Sequence, residues 1–379
     1  MKEKFVLNNG VEIPKIGFGV FRMTDQTACE EAVVQAIQSG YRLIDTAAAY
    51  GNEEAVGRAI RRCGVPREEL FITTKLWIPD ISYAGAKRGF AQSMERLGLD
   101  YLDMYVIHQP YHNYYGAWKA LEELYEAGKV RAISVDNFTQ DRLADFIFWN
   151  KVKPAANLLE CNPSFQRTDE EAYLKSQNIL LQAWSPLAAG QDGVLDAPAI
   201  AAIAKAHQKS PAQVILRWLV QRDILPLVKT SNPQRMKENL DIFDFALTEV
   251  EMQAIAKLDK GHTCFMPRNT GKAVHDFLTQ AATGACAIRE NPKVKQNRPM
   301  PGLQLQRHGA VGLYKVILRY LPGRQRAGLL LGGRNARGKN ARRPRICSRA
   351  SYPARPSECC GRCCFRCWGY RASGGATEP

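Results

Sequence analysis

The chain has no uninterrupted apolar run of 18 residues, so no membrane-spanning helix is expected. Its first residues, MKEKFVLNNG, lack the apolar stretch of a secretory signal peptide, and cytoplasm is the expected location. A Gly-x-Gly-x-x-Gly fingerprint is also absent. The glycines of GFGV, Gly17 and Gly19, are too few and too close for one, which argues against a Rossmann domain. Before residue 279 there are four cysteines, Cys29, Cys63, Cys161 and Cys264. They are far apart and show no metal-ligand spacing. They read as small buried apolar residues of a reducing compartment, and no metal is expected. No internal repeat is present.

Acidic residues are the other scarcity, and only in one place. The net charge of +15 comes entirely from residues 279–379, which hold 20 Lys+Arg against 3 Asp+Glu; residues 1–278 hold 32 against 34. The terminal segment also holds seven cysteines, among them Cys359, Cys360, Cys363, Cys364 and Cys367. Two-residue spacings suit tetrahedral zinc thiolates, and runs such as RNARGKNARRPR suit a nucleic-acid arm. The composition fits more simply a segment translated in a wrong reading frame, or a disordered extension that offers little apolar surface to pack. The division expected is therefore 1–278 for a folded body and 279–379 for an Arg/Cys-rich tail. Nucleic acid is an expected partner of the tail at most.

The body alternates strand-like and helix-like segments. KFVL and VEIP flank Asn8-Asn9-Gly10 as a hairpin, placed to cap the bottom of a barrel. Eight strand candidates follow: KIGFGV, YRLID, LFITTK, LDMYVIH, VRAISV, AANLLE, ILLQAW and ILPLV. Helical stretches follow each, as at 25–39, 52–62 and 84–97. Asn52 before Glu53 and Glu54, and Ser210-Pro211, read as helix starts; Gly40 and Gly128 read as stops. LTEVEMQAIAKLD gives one further helix, and the pattern dissolves beyond about Phe277. Eight such units in a row make an α/β (β/α)8 TIM barrel the expected fold, at about 250 residues.

Four residues stand at or just after the carboxyl ends of those strands, where barrel active sites collect. Asp45 and Tyr50 lie in LIDTAAAYGNEEAVG, Lys75 in LFITTKLW and His108 after LDMYVI. A tyrosine acid gains from a nearby ammonium, which lowers its pKa from about 10. Lys75 would supply that ammonium, Asp45 would anchor it, and a neutral His108 would orient a carbonyl oxygen. In order and surroundings these residues resemble the aldo-keto reductase family, most closely its prokaryotic, 2,5-diketo-gluconate reductase-like members.

The resemblance implies NADPH-dependent reduction of an aldehyde, ketone or keto-sugar carbonyl to an alcohol, with NADP(H) bound at the barrel rim and no metal. By the same resemblance, AWSPLA places Trp184 against the nicotinamide and Ser185 and Leu187 along the pyrophosphate. In LVKTSNPQRMKENLDIFDF, Lys229, Thr230 and Arg235 would hold the ribose 2′-phosphate, and Glu238 and Asn239 the adenine. Arg suits that task because its fork matches phosphate oxygens. Phe21 and Trp77 match aromatic walls of the substrate pocket. Two positions depart from the family. Where it has Gly-Val-Ser-Asn-Phe this chain has Ser134-Val135-Asp136-Asn137-Phe138, and where it has Asn-Gln this chain has Asn157-Leu158. The altered positions are the carboxamide contacts: Asp136 can accept a bond and brings a charge, and Leu158 can form none. A small-molecule carbonyl substrate and a monomer are expected. The alternative reading is a non-catalytic NADP-binding barrel acting as a sensor or subunit.

Overall fold

The computed structural model describes residues 3–282. The terminal cysteine cluster and basic runs lie outside the described residues. The first hairpin pairs β1 (Lys4–Val6) with β2 (Glu12–Pro14), and Gly10 in its turn has φ 82°. Eight parallel strands then close a barrel: β3 (Gly17–Gly19), β4 (Leu43–Asp45), β5 (Phe71–Leu76), β6 (Leu102–Ile107), β7 (Val130–Asp136), β8 (Ala156–Glu160), β9 (Leu180–Trp184) and β10 (Leu225–Val228). Each lies within a segment that the sequence marks as strand or extends it by one residue. The ring closes where β10 pairs with β3.

The helices are α1 (Gln26–Gln38), α2 (Glu53–Arg62), α3 (Tyr83–Leu97), α4 (Tyr114–Glu126), α5 (Gln140–Trp149), α6 (Thr168–Ser176), α7 (Pro198–His207), α8 (Pro211–Gln221), α9 (Pro233–Leu240), α10 (Glu249–Ala256) and α11 (Gly271–Ala282). Two helices, α7 and α8, separate β9 from β10. Ser210 and Gln213 form a reciprocal cap at the start of α8, and Thr248 and Glu251 do the same for α10. Asn52 precedes α2 as expected, but its side chain makes no cap. It is buried instead, accepting from Thr46 Oγ1 and donating to the Val20 and Met23 carbonyls, and so staples two rim loops together.

Side chains along a strand alternate between its faces, so each strand divides into an inner and an outer set. Leu43, Phe71, Met104, Val106, Ala132, Ala156, Leu158, Leu225 and Leu227 form one inner apolar cluster, and Leu7 and Ile13 of the hairpin join it. The hairpin thus plugs the barrel base. Gly17 is needed in this layer: a Cβ there would come within 2.5 Å of Leu227 and 2.7 Å of Leu43. The outer set, with Ile44, Ile72, Tyr105 and Ile133, packs beneath the helices. Continuing the inner alternation toward the carboxyl rim brings polar groups into the barrel: Asp45, Lys75, Asp136 and Glu160, all buried.

The last helix was not marked by the sequence. Thr270 Oγ1 accepts from Ala273 N at its start, Lys272 pairs with Asp276, and Val274, Phe277, Leu278 and Ala281 recur on one side. The boundary expected at residue 278 falls inside α11. No helix among the described residues is long and apolar enough to cross a membrane.

Candidate active site

Asp45 closes β4, and its register partner on β5 is Thr73, two positions before Lys75. Both acid and base therefore point into the barrel at the rim. Lys75 Nζ donates to Asp45 Oδ1 at 2.5 Å and to the Thr46 carbonyl at 3.2 Å. Tyr50 ends a 3-10 turn, Ala48–Tyr50, which Gly51 terminates with φ 66°. That turn brings the phenol back over Lys75, whose Nζ lies 3.4 Å from Tyr50 Oη. His108 follows β6 directly. Its ring is 5.6 Å from that of Tyr50, edge to face, and its Nε2 is 3.8 Å from Asp136 Oδ2. The structure thus brings all four sequence-marked residues together, with Asp136 added to them.

Burial shapes the charges. Although burial disfavours an ammonium, Asp45, Tyr50 and Asp136 together outweigh it and hold Lys75 above its ordinary range. Burial, reinforced by Lys75 and Arg268, pushes His108 well below its ordinary value, so its imidazole is neutral. For Tyr50 the expected lowering of the phenol does not hold. Lys75 does act to lower the phenol, but burial is the larger effect, Asp45 and Asp136 add to it, and the net shift is upward. Asp136 is also held well above the usual carboxylate range, by burial first; Asp45 reinforces this, and Lys75, Arg268 and Asn137 oppose it.

Aromatic walls surround the hydroxyl. Phe21 lies 5.0 Å from Tyr50 and Trp77 5.1 Å from His108. The segment after α10 adds walls that sequence patterning does not reveal. Buried Glu160, inward at the end of β8, accepts from Cys264 N at 2.9 Å and from Thr263 Oγ1. This fastens the returning chain to the rim and sets Phe265 5.3 Å from Trp184. Further on, Arg268 donates to Gln109 Oε1 at 2.9 Å and lies 3.7 Å above Phe277, which meets Trp77 and Tyr111 edge-on or tilted. The contacts to Glu160, Gln109, Trp77 and Tyr111 join positions more than 100 residues apart, so no local period could show them.

The remaining marked residues are spread between this rim, the inner apolar layer and helix α9. Trp184 Nε1 donates to Asn137 Oδ1 at 3.2 Å, and Asn137 Nδ2 donates to Asp136 Oδ1 at 2.6 Å. Ser185 has φ 52°, and its buried Oγ has no hydrogen-bond partner. Leu187 is half-buried against the core. Leu158 is buried in the inner apolar layer. Lys229 and Thr230 follow β10 at the rim, one strand from Trp184, which is in register with Leu227. Arg235 is exposed in the first turn of α9, where its backbone N–H and that of Gln234 are capped by Asn232. Glu238 accepts from Gln234, and Asn239 is buried beside Tyr41. Of the four body cysteines, Cys29, Cys63 and Cys161 are buried and Cys264 half-buried, all as free thiols. Among the described residues no cluster of His, Cys, Asp and Glu is arranged to hold a metal.

Comparison with known proteins agrees with this geometry. Residues 15–260 match the model of the aldo/keto reductase family. Glyoxal reductase of Bacillus subtilis is 46% identical over 261 residues, spanning 69% of this chain and 94% of that protein. The 9,11-endoperoxide prostaglandin H2 reductase of Trypanosoma cruzi is 44% identical over 256 residues, spanning 67% and 90%. A crystal structure of a Bombyx mori aldo-keto reductase in complex with NADP superposes with a TM-score of 0.67 at 33% identity, covering 69% of this chain and 94% of that one. With a closed eightfold barrel, an Asp-Lys-Tyr-His set gathered at its rim and this breadth of similarity, the chain belongs to the aldo/keto reductase family.

Proposed function

We propose that this protein reduces the carbonyl of an aldehyde, ketone or keto-sugar to an alcohol with NADPH, and that Tyr50 delivers the proton. The observation that carries the reading is the buried contact chain from Asp45 through Lys75 to Tyr50, with neutral His108 beside it. The rim fits the cofactor. Ser185 holds an orphaned buried hydroxyl on a left-handed backbone, as a polar ligand would require. The start of α9, with Lys229 and Arg235 nearby, suits a phosphate. When bound, NADPH supplies the hydride. The chain's own residues do the rest. His108 and Tyr50 direct their hydrogens at the carbonyl oxygen and fix it. Tyr50 gives up its proton as negative charge develops there. The Lys75 ammonium, held charged by Asp45, stabilises the resulting phenolate. A positioned acid of this kind contributes about 10²–10⁴-fold.

NADPH oxidation measured against a panel of aldehydes and keto-sugars tests this. Turnover with at least one class is expected. Tight NADPH binding with no turnover on any would instead favour the non-catalytic sensor, a reading that the Asp136 and Leu158 departures favour and the intact tetrad opposes.

A further inference from the structure

Asp136 is a buried carboxyl at a position where the family resemblance implies a contact to the nicotinamide carboxamide, and neither that contact nor the proton relay uses its charge. It stands at the end of β7, in register with Leu158, and its Oδ2 lies 3.8 Å from His108 Nε2. Other charged and titratable groups face it from several elements: Asp45 from β4, Tyr50 from the 3-10 turn that follows, Lys75 from β5, His108 after β6 and Arg268 from the segment before α11. Asn137 donates to its Oδ1 and is itself bonded to Trp184.

A carbonyl held by Tyr50 and His108 is in contact with the imidazole. A hydride donor must touch the carbon of that carbonyl, at roughly 3–3.5 Å. The donor therefore comes within a few contact distances of Asp136, a carboxyl almost wholly buried, where charges interact more strongly than in water. NADPH and NADP+ share every charged group except one: the oxidised nicotinamide carries a positive charge.

On the proposed NADP-dependent reading, we infer that Asp136 carries a proton in the cofactor-free and NADPH-bound protein and gives it up when NADP+ binds. The O–H bond of the carboxyl breaks, the proton passes to the buffer, no electron moves, and the new carboxylate neutralises the ring charge. Burial holds the carboxyl above its usual range, and Lys75, whose charge is already paired with Asp45, opposes this only in part.

Calorimetric titration of the full chain with NADP+ and with NADPH, in buffers of different ionisation enthalpy, counts the protons. Subtracting the NADPH count removes the phosphates and adenine common to both. The wild type is expected to release more protons with NADP+, approaching one, and its preference for NADP+ should rise up to tenfold per pH unit while Asp136 titrates. Asp136→Asn should release equal numbers with both cofactors and show a pH-independent preference; Asp136→Ser serves as a second variant should Asn fold poorly. Equal counts in the wild type, or an undiminished difference in both variants, would overturn the inference. If neither cofactor binds the wild type, the NADP-dependent reading itself fails.

Discussion

Tyr50 and Lys75 meet hydroxyl to ammonium at 3.4 Å, with Asp45 gripping the far side of the same ammonium. A buried ammonium is stable only while it is paired, and removing one partner of such a pair costs about 3–5 kcal/mol. Asp45 thus keeps Lys75 charged, and Lys75 offsets the burial of the Tyr50 hydroxyl. The roles separate in experiment. Tyr50→Phe keeps the ring and removes only the oxygen, so carbonyl reduction should fall by about 10²-fold or more while NADPH binding persists. Steady-state kinetics with fluorescence titration of NADPH checks both halves; near-wild-type turnover would remove Tyr50 from the mechanism.

Cofactor choice rests on a different part of the rim. Lys229 and Arg235 are exposed around the start of α9, and only NADPH offers a 2′-phosphate there. Hydrogen bonds to a charged group contribute about 1.5–3 kcal/mol. Arg235→Ala should therefore weaken NADPH about tenfold to a hundredfold and leave NADH nearly unchanged. Equal affinities for the two cofactors in the wild type would sink this assignment.

Most of the barrel was legible because each strand announces itself by local pattern, and the period of two then places Asp45, Lys75 and Asp136 on one inner face. The tetrad was legible through its surrounding words. What stayed hidden depends on chain return. Glu160 looks like any residue ending a strand until Thr263 and Cys264 come back to it. Arg268 and Phe277 belong to a stretch whose helix is begun by Thr270 and interrupted at its first position by Gly271, a weak start. The net upward shift of Tyr50 was hidden for a similar reason, since burial cannot be read from a neighbour in sequence.

Leu158 presents a conflict between packing and binding. It is buried among Met104, Ala132 and Leu225 in the inner layer. Leu158→Gln would place an amide there, and an unpaired buried amide costs about 1–3 kcal/mol. The cofactor-free variant should melt lower than wild type, yet gain more from added NADP+ if the amide finds the carboxamide. Thermal melts with and without NADP+ separate the two effects; a lower melt with no larger NADP+ gain would leave Leu158 as packing alone.

Asp136 should also leave a mark on stability. Its folded-state pKa is raised above the unfolded value of about 3.9, so the folded form binds the extra proton. Stability is complete below that unfolded value and falls as pH rises toward the folded one, by up to about 1.4 kcal/mol per unit. Asp136→Asn does not titrate. It should match wild type in acid and exceed it increasingly as pH climbs above about 4. Denaturant midpoints of the two proteins across pH would show the widening gap; parallel curves would mean that Asp136 titrates normally.

The returning segment gives the last expectation. Residues 15–260 carry the family match, yet Glu160 keeps its buried carboxylate satisfied through Thr263 and Cys264. Cutting at Lys260 removes both donors and also uncovers Trp184, Trp77 and Gln109, which Phe265, Phe277 and Arg268 cover. Two lost charge-assisted bonds, at about 1.5–3 kcal/mol each, should lower the melting temperature by roughly 6–24 °C. A chain ending at Ala282 keeps α11 whole and should melt cooperatively at the temperature of the full chain. Phe277→Ala within that chain should raise KM for substrate about three- to tenfold, with NADPH affinity unchanged, because it removes an aromatic wall and no cofactor contact. Glu160→Gln in the chain ending at Lys260 should recover part of the lost stability, since a neutral amide is cheaper to leave unpaired than a carboxylate. No recovery, or a chain ending at Lys260 as stable as one ending at Ala282, would show that Glu160 is not what fastens the segment to the barrel.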